Sequence, residues 1–321
     1  MNTMLAQRRI LFAVLIGLGS GLLCSMVRSS FQNMFVDMGW AFNAARDLLA
    51  GRDPYRHAAS TLLIPYPLTA ALVVFPFALL PDQLAIIGSY GLICGLLASG
   101  LLREGQYWRL LVFVSPAFWM AARAMQWSPL FMTVLLYPSL FPVLVAKPTL
   151  ALPVALSVCW TWKRVLGALL LVLVSLLLIP AWPWRWLSQT GQYSGFIPLL
   201  TLFGPVLAIT LFFWRDWQAR FLFFLSITPQ QYMFYDQLLV WMIPQTVRQM
   251  IFLTIAAWAA YFSINEDYTK NWPTVPLIML GVYLPAFCLV LWQQRATLRS
   301  KLRISSLFKS FPHFVNKARQ D

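Results

Sequence analysis

The chain has 321 residues, 60% of them hydrophobic and only 11% charged, with a formal net charge of +14. A soluble domain carries roughly 25% charged residues, so composition excludes an ordinary soluble enzyme. The positive charge does not indicate nucleic-acid binding, because the basic residues sit at the ends of apolar runs and in one C-terminal tail, as the positive-inside rule places them.

The first apolar run, 10–27, follows Arg8 and Arg9 and lacks an obvious small-residue cleavage site, so a retained helix leaving the cytoplasm is expected. A first external loop then spans 28–82. Within it Met38, Ala41, Phe42, Ala45, Leu48 and Leu49 follow helical spacing, with Asn43, Arg46 and Asp47 on the other face. That pattern predicts an amphipathic helix lying on the membrane and ended by Gly51, with Asp37 just before it as a helix cap, a functional carboxylate or both. The stretch 66–80 holds Pro67 and Pro76 and is short for a span, so it is assigned to the outer interface.

The run 83–102 returns inward, leaving Arg103 and Arg109 in the cytoplasm. Short helices are then predicted near 110–122, 149–162, 165–180, 197–214, 220–229, 237–247, 249–262 and 275–292, with a re-entrant pair of half-helices in 129–146, where Pro138 and Pro142 interrupt. The fold class is all-α: a polytopic membrane bundle of about ten spans, comprising residues 1–294, followed by a basic cytoplasmic tail, 295–321. Both termini lie in the cytoplasm and the protein is expected in the cell (inner) membrane. Gly17/Gly21 and Gly91/Gly95 offer close-packing faces. The tail is read as a topology determinant on an anionic leaflet, and Trp182, Trp184 and Trp186 as an interfacial belt.

Cys24, Cys94, Cys159 and Cys288 lie singly, and His57 and His313 are far apart, so no disulfide framework, metal site or cofactor is expected. The chain has ten acidic residues. Of those assigned to the outside, Asp37 and Asp236 are best framed for acid–base work. Lys147 stands in an otherwise apolar stretch, where a lysine usually has a partner or a task. It and Arg123 are the candidate cations of a site, Arg123 as a bidentate fork and Lys147 as a point charge.

Several stretches resemble glycosyltransferase family 87. They are Asp37; the run Ala44-Ala45-Arg46-Asp47-Leu48-Leu49-Ala50-Gly51-Arg52-Asp53-Pro54-Tyr55; Tyr66-Pro67-Leu68; and Phe75-Pro76-Phe77-Ala78-Leu79-Leu80-Pro81. Three more follow in order: Met125-Gln126-Trp127-Ser128, Ala146-Lys147-Pro148, and Ser226-Ile227-Thr228-Pro229 with Tyr235-Asp236-Gln237. Met125 stands where that family has glycine, and Leu68 where it has a second proline. The family belongs to the GT-C membrane enzymes, which use polyprenyl-phosphate sugars. The resemblance implies transfer of a hexose, by family default mannose, to an envelope glycolipid or glycan outside the cell. Asp37 would be the general base, Lys147 and Arg123 would hold the donor phosphate, and the reaction would invert the anomeric centre without a metal. Gln126, Asp236, Tyr55 and Tyr66 suit contacts to sugar or acceptor, although Asp236 could instead pair with Lys147 or Arg123. The expected partners are the donor, the acceptor and membrane lipids. A transporter of lipid-linked sugars and a non-catalytic membrane assembly partner are the alternatives.

Overall fold

The computed structural model describes residues 2–30, 37–56, 65–103, 105–189, 195–264 and 274–295. The tail beyond Arg295 and both histidines lie outside these residues. Among the described residues the structure is helical, with no strand; one isolated bridge pairs Phe196 with Gln230. Among the described residues twelve α-helices follow in order: α1 (Asn2–Ser30), α2 (Asp37–Leu49), α3 (Leu68–Ala78), α4 (Asp82–Leu101), α5 (Pro116–Arg123), α6 (Ser128–Leu136), α7 (Pro148–Ala155), α8 (Trp162–Leu178), α9 (Trp182–Leu187), α10 (Trp217–Ser226), α11 (Val247–Phe262) and α12 (Thr274–Arg295), the last with a π-helical stretch at Met279–Tyr283.

Among the described residues three stretches are long and apolar enough to cross a membrane: Gln7–Val27 in α1, Asp82–Leu101 (α4) and Thr274–Arg295 (α12). The other predicted spans are shorter or broken. The expected helix at 110–122 divides at Ser115, whose hydroxyl caps α5 by accepting the Phe118 N–H at 3.1 Å. The expected α-helices at 197–214 and 237–247 are largely 3₁₀, over Gly204–Phe213 and Asp236–Met242. A 3₁₀ helix rises about 2 Å per residue, more than an α-helix, but with 10 and 7 residues neither reaches across the roughly 30 Å of a hydrocarbon core. The stretch 129–146 is a pair of short helices as expected, α6 and the 3₁₀ helix Pro138–Ala146, which part at Tyr137–Pro138 because proline supplies no N–H.

α1 and α4 pack antiparallel through the glycines noted in the sequence. A Cβ on Gly17 would meet the Gly91 carbonyl oxygen at 2.6 Å, and one on Gly21 the Ile87 carbonyl oxygen at 2.5 Å. Only glycine admits backbones this close. At one end of the pair, Arg9 donates to the Ser99 carbonyl at 2.9 Å, and Arg103 lies 4.4 Å over the Tyr137 ring. Arg9 and Arg103 therefore share an end, and α2 begins beyond the other.

α2 departs from the surface helix expected of it. It begins at Asp37, and Met38, Gly39, Trp40, Ala41, Phe42, Ala44 and Ala45 are all buried. α3 covers its apolar face, so protein rather than lipid takes up the amphipathic pattern. Gly51 ends the segment with φ +66°. Arg46 ties the helix end to Asp82, at the start of α4. α8 is the opposite case: only Ala168 and Ser175 are buried, and its leucines, such as Leu169 and Leu177, face outward.

Candidate active site

The site begins with the backbone. The first N–H groups of a helix have no partner within it. In α2 they are taken by the turn after α5: Asp37 N–H donates to the Ala124 carbonyl at 3.1 Å and Met38 N–H to the Met125 carbonyl at 3.3 Å. Met125 can present its carbonyl there because its φ is +47°, the left-handed region that favours glycine. The sequence departure at this position therefore has a structural cost, a side chain where the backbone wants none. The same turn delivers Gln126 beside Asp37.

Lys147 ends the 3₁₀ helix Pro138–Ala146 and precedes α7. Its side chain is 5% exposed. The ammonium donates to Asp37 Oδ2 at 2.8 Å, Gln126 Oε1 at 3.3 Å and Asp236 Oδ1 at 3.3 Å. Three acceptors match the three N–H bonds of an ammonium. The rings of Tyr66 and Tyr235 lie 5.7 Å and 5.8 Å from the same nitrogen. Asp37, 17% exposed, is the more open of the two carboxylates; Asp236 is 1% exposed.

Burial opposes the lysine's charge, yet the carboxylates of Asp236 and Asp37 outweigh it and hold the Lys147 pKa above its ordinary value. Burial raises the Asp236 pKa, against the opposing pull of Lys147 and of the Gln231 N–H, which donates at 2.9 Å. Burial, then the neighbouring Asp37 carboxylate, keeps the Tyr66 phenol protonated, with its pKa well above the usual value. Two carboxylates against one ammonium leave this cluster with an excess negative charge. The basic cradle expected around a phosphate is thus not what Lys147 alone provides: its ammonium is already shared.

Of the residues singled out in the sequence, Asp37, Gln126, Lys147, Asp236 and Tyr66 meet here. Tyr55 stands one layer behind, its hydroxyl donating to the Tyr66 carbonyl at 2.8 Å. Arg123 closes α5, half-buried, three residues before Gln126, and is not one of the groups that Lys147 joins. Sequence reasoning missed the support behind Asp236. Gln230 is fully buried, accepts from Gln237 Nε2 at 2.9 Å and from the Tyr283 hydroxyl at 2.6 Å, and donates to the Leu225 carbonyl at 2.7 Å. The signal was the adjacent Gln230 and Gln231 within a mostly apolar region, since buried amides require partners. Phe234, two residues before Asp236, is the other left-handed non-glycine residue, with φ +63°. Among the described residues, no group of His, Cys, Asp and Glu is placed to hold a metal ion.

No protein-family model, curated protein or solved structure matches the chain.

Proposed function

We propose that the chain is a membrane glycosyltransferase of the GT-C type, resembling family 87. It transfers a hexose, by family default mannose, from a polyprenyl-phosphate donor to a glycolipid or glycan acceptor on the external face of the cell membrane. One observation carries this reading. The stretches that resemble the family are scattered over some 200 positions of sequence, and their polar members Asp37, Gln126, Lys147 and Asp236 meet at a single ammonium. Unrelated topology lysines and helix caps have no reason to converge in this way. The wider architecture proposed is a bundle of about ten crossings, with α6 and its 3₁₀ partner as a re-entrant pair that brings Lys147 back to the side of Gln126.

The reaction needs little covalent machinery. The acceptor oxygen attacks the anomeric carbon from the face opposite the phosphate. The carbon–oxygen bond to the phosphate breaks, and polyprenyl phosphate leaves with the bonding pair. The acceptor proton passes to the Asp37 carboxylate, and the anomeric configuration inverts. A positioned base contributes about 10²–10⁴ in rate. Asp37 suits this role better than Asp236, being the more open and at the start of a rigid helix. In the resting site Lys147 holds Asp37. A donor phosphate beside Lys147 and Arg123 competes for the ammonium and leaves the carboxylate free to take a proton.

The test is transfer of radiolabelled sugar from polyprenyl-phosphate donors to an acceptor extract by the purified protein. Transfer is expected from the wild type and lost in Asp37→Asn; transfer undiminished in that variant removes the assigned base. A second reading, a transporter of lipid-linked sugars, is favoured by one feature: ionisable residues buried inside a membrane protein also mark substrate pathways. Translocation of the lipid without transfer would favour it.

A further inference from the structure

Three consecutive residues beside the ammonium carry polar atoms that find no partner among the described residues: Gln126 Nε2, Trp127 Nε1 and Ser128 Oγ. All three side chains are fully buried. An unpaired buried donor costs about 1–3 kcal/mol, and natural proteins hold few of them. Three in a row are therefore a feature of the place rather than a stray defect. Their position is set from both sides. The other end of the Gln126 amide already accepts from Lys147. The Trp127 ring lies 6.2 Å from the Tyr66 ring, which itself faces that ammonium. Trp40 and Tyr66, with ring centroids 6.3 Å apart, continue the aromatic wall.

We propose that Trp127 and Ser128, with the Gln126 amide, form a subsite that takes the hydroxyl groups of a sugar, a role that rests on the transferase reading above. The chemistry selects the ligand. Gln126 Nε2 and the indole N–H can only donate, so the ligand must bring acceptor oxygens. The donor's phosphate is assigned to the cations Lys147 and Arg123, so the part of the ligand that reaches these neutral donors is uncharged. A polyol meets both conditions: each hydroxyl accepts from an amide or indole N–H and donates to a carboxylate such as Asp236. Aromatic rings beside the donors suit the apolar C–H face of a sugar. The subsite places the donor's hexose along 126–128, with its phosphate on the side of Lys147 and Arg123.

The experiment uses the full chain in lipid nanodiscs. Binding and transfer of polyprenyl-phosphate mannose are compared with those of its monodeoxy analogues, one hydroxyl removed at a time, for wild type, Trp127→Phe and Ser128→Ala. Each variant is expected to bind the parent donor about 3- to 10-fold more weakly, the worth of one hydrogen bond. Each should also lose the wild-type penalty for one particular deoxy analogue. A purely structural role would weaken binding of every analogue alike and leave those penalties intact. Folded variants that retain the full set of penalties, or a wild type indifferent to every deoxy substitution, overturn the subsite while leaving the transferase reading standing. If Trp127→Phe fails to fold, Ser128→Ala decides. A wild type that neither binds nor transfers polyprenyl-phosphate mannose overturns both.

Discussion

The Lys147 ammonium lies 2.8 Å from the carboxylate of Asp37, a residue 110 positions earlier in the chain. The contact joins the start of α2 to the break between a 3₁₀ helix and α7. Asp236 makes the pair a triad with one charge in excess, and the first consequence is an asymmetry between its members. Lys147→Met strands two carboxylates in a largely buried place and is expected to cost about 3–5 kcal/mol. Asp236→Asn leaves a balanced Lys147–Asp37 pair and is expected to cost far less. Thermal unfolding midpoints of the two variants in one detergent compare them directly. Equal losses would mean that the triad does not carry the excess charge assigned to it.

The burial of Asp236 gives a pH dependence. The fold raises the Asp236 pKa, through burial and against the pull of Lys147. The fold therefore favours the protonated acid. That contribution to stability is complete below the ordinary carboxylate pKa and is lost as pH rises through the raised value. Asp236→Asn is neutral throughout, so its stability relative to wild type is expected to improve as pH rises from about 4 to about 7. A stability difference that stays flat across that range would contradict the raised pKa.

At Met125 the usual order of small residues should invert. Glycine is ordinarily about 0.5–1 kcal/mol worse than alanine within structure. With φ +47° at this position, alanine keeps the left-handed strain and glycine removes it. Both variants lose the buried Met125 side chain, so their difference isolates the backbone. Met125→Gly is expected to unfold at a higher temperature than Met125→Ala. The conventional order would show that the turn relaxes when the side chain goes.

Gly17 and Gly19 provide a matched pair on one helix. A Cβ at Gly17 collides with the Gly91 carbonyl, whereas at Gly19 nothing lies within 4 Å. Gly19→Ala is expected to leave stability unchanged or raise it by up to about 1 kcal/mol, the helix propensity of alanine over glycine. Gly17→Ala should lower it, because α1 must move away from α4. Thermal midpoints again decide, and equal behaviour of the two variants would rule out the close approach.

Helicity, the long helices α1 and α4 and their glycine faces were legible in the sequence, because apolar run length and small-residue spacing are local properties that backbone hydrogen bonding in lipid makes decisive; α12 was legible as a helix, but as one of the short ones. Lys147 stood out as a charge in an apolar stretch, Asp37 and Asp236 as acids framed by helices, and Gln126 only through the resemblance to family 87. What α2 packs against was not: an amphipathic stripe says that one face is apolar, not whether lipid or protein covers it. Nor could spacing reveal that a single ammonium would meet acceptors from three distant segments, or that Gln230 and Tyr283 would stand behind Asp236. Those contacts depend on how short helices stack and where the chain turns back, and there the left-handed backbone at Met125 and Phe234 and the breaks at proline set distances that no periodicity encodes.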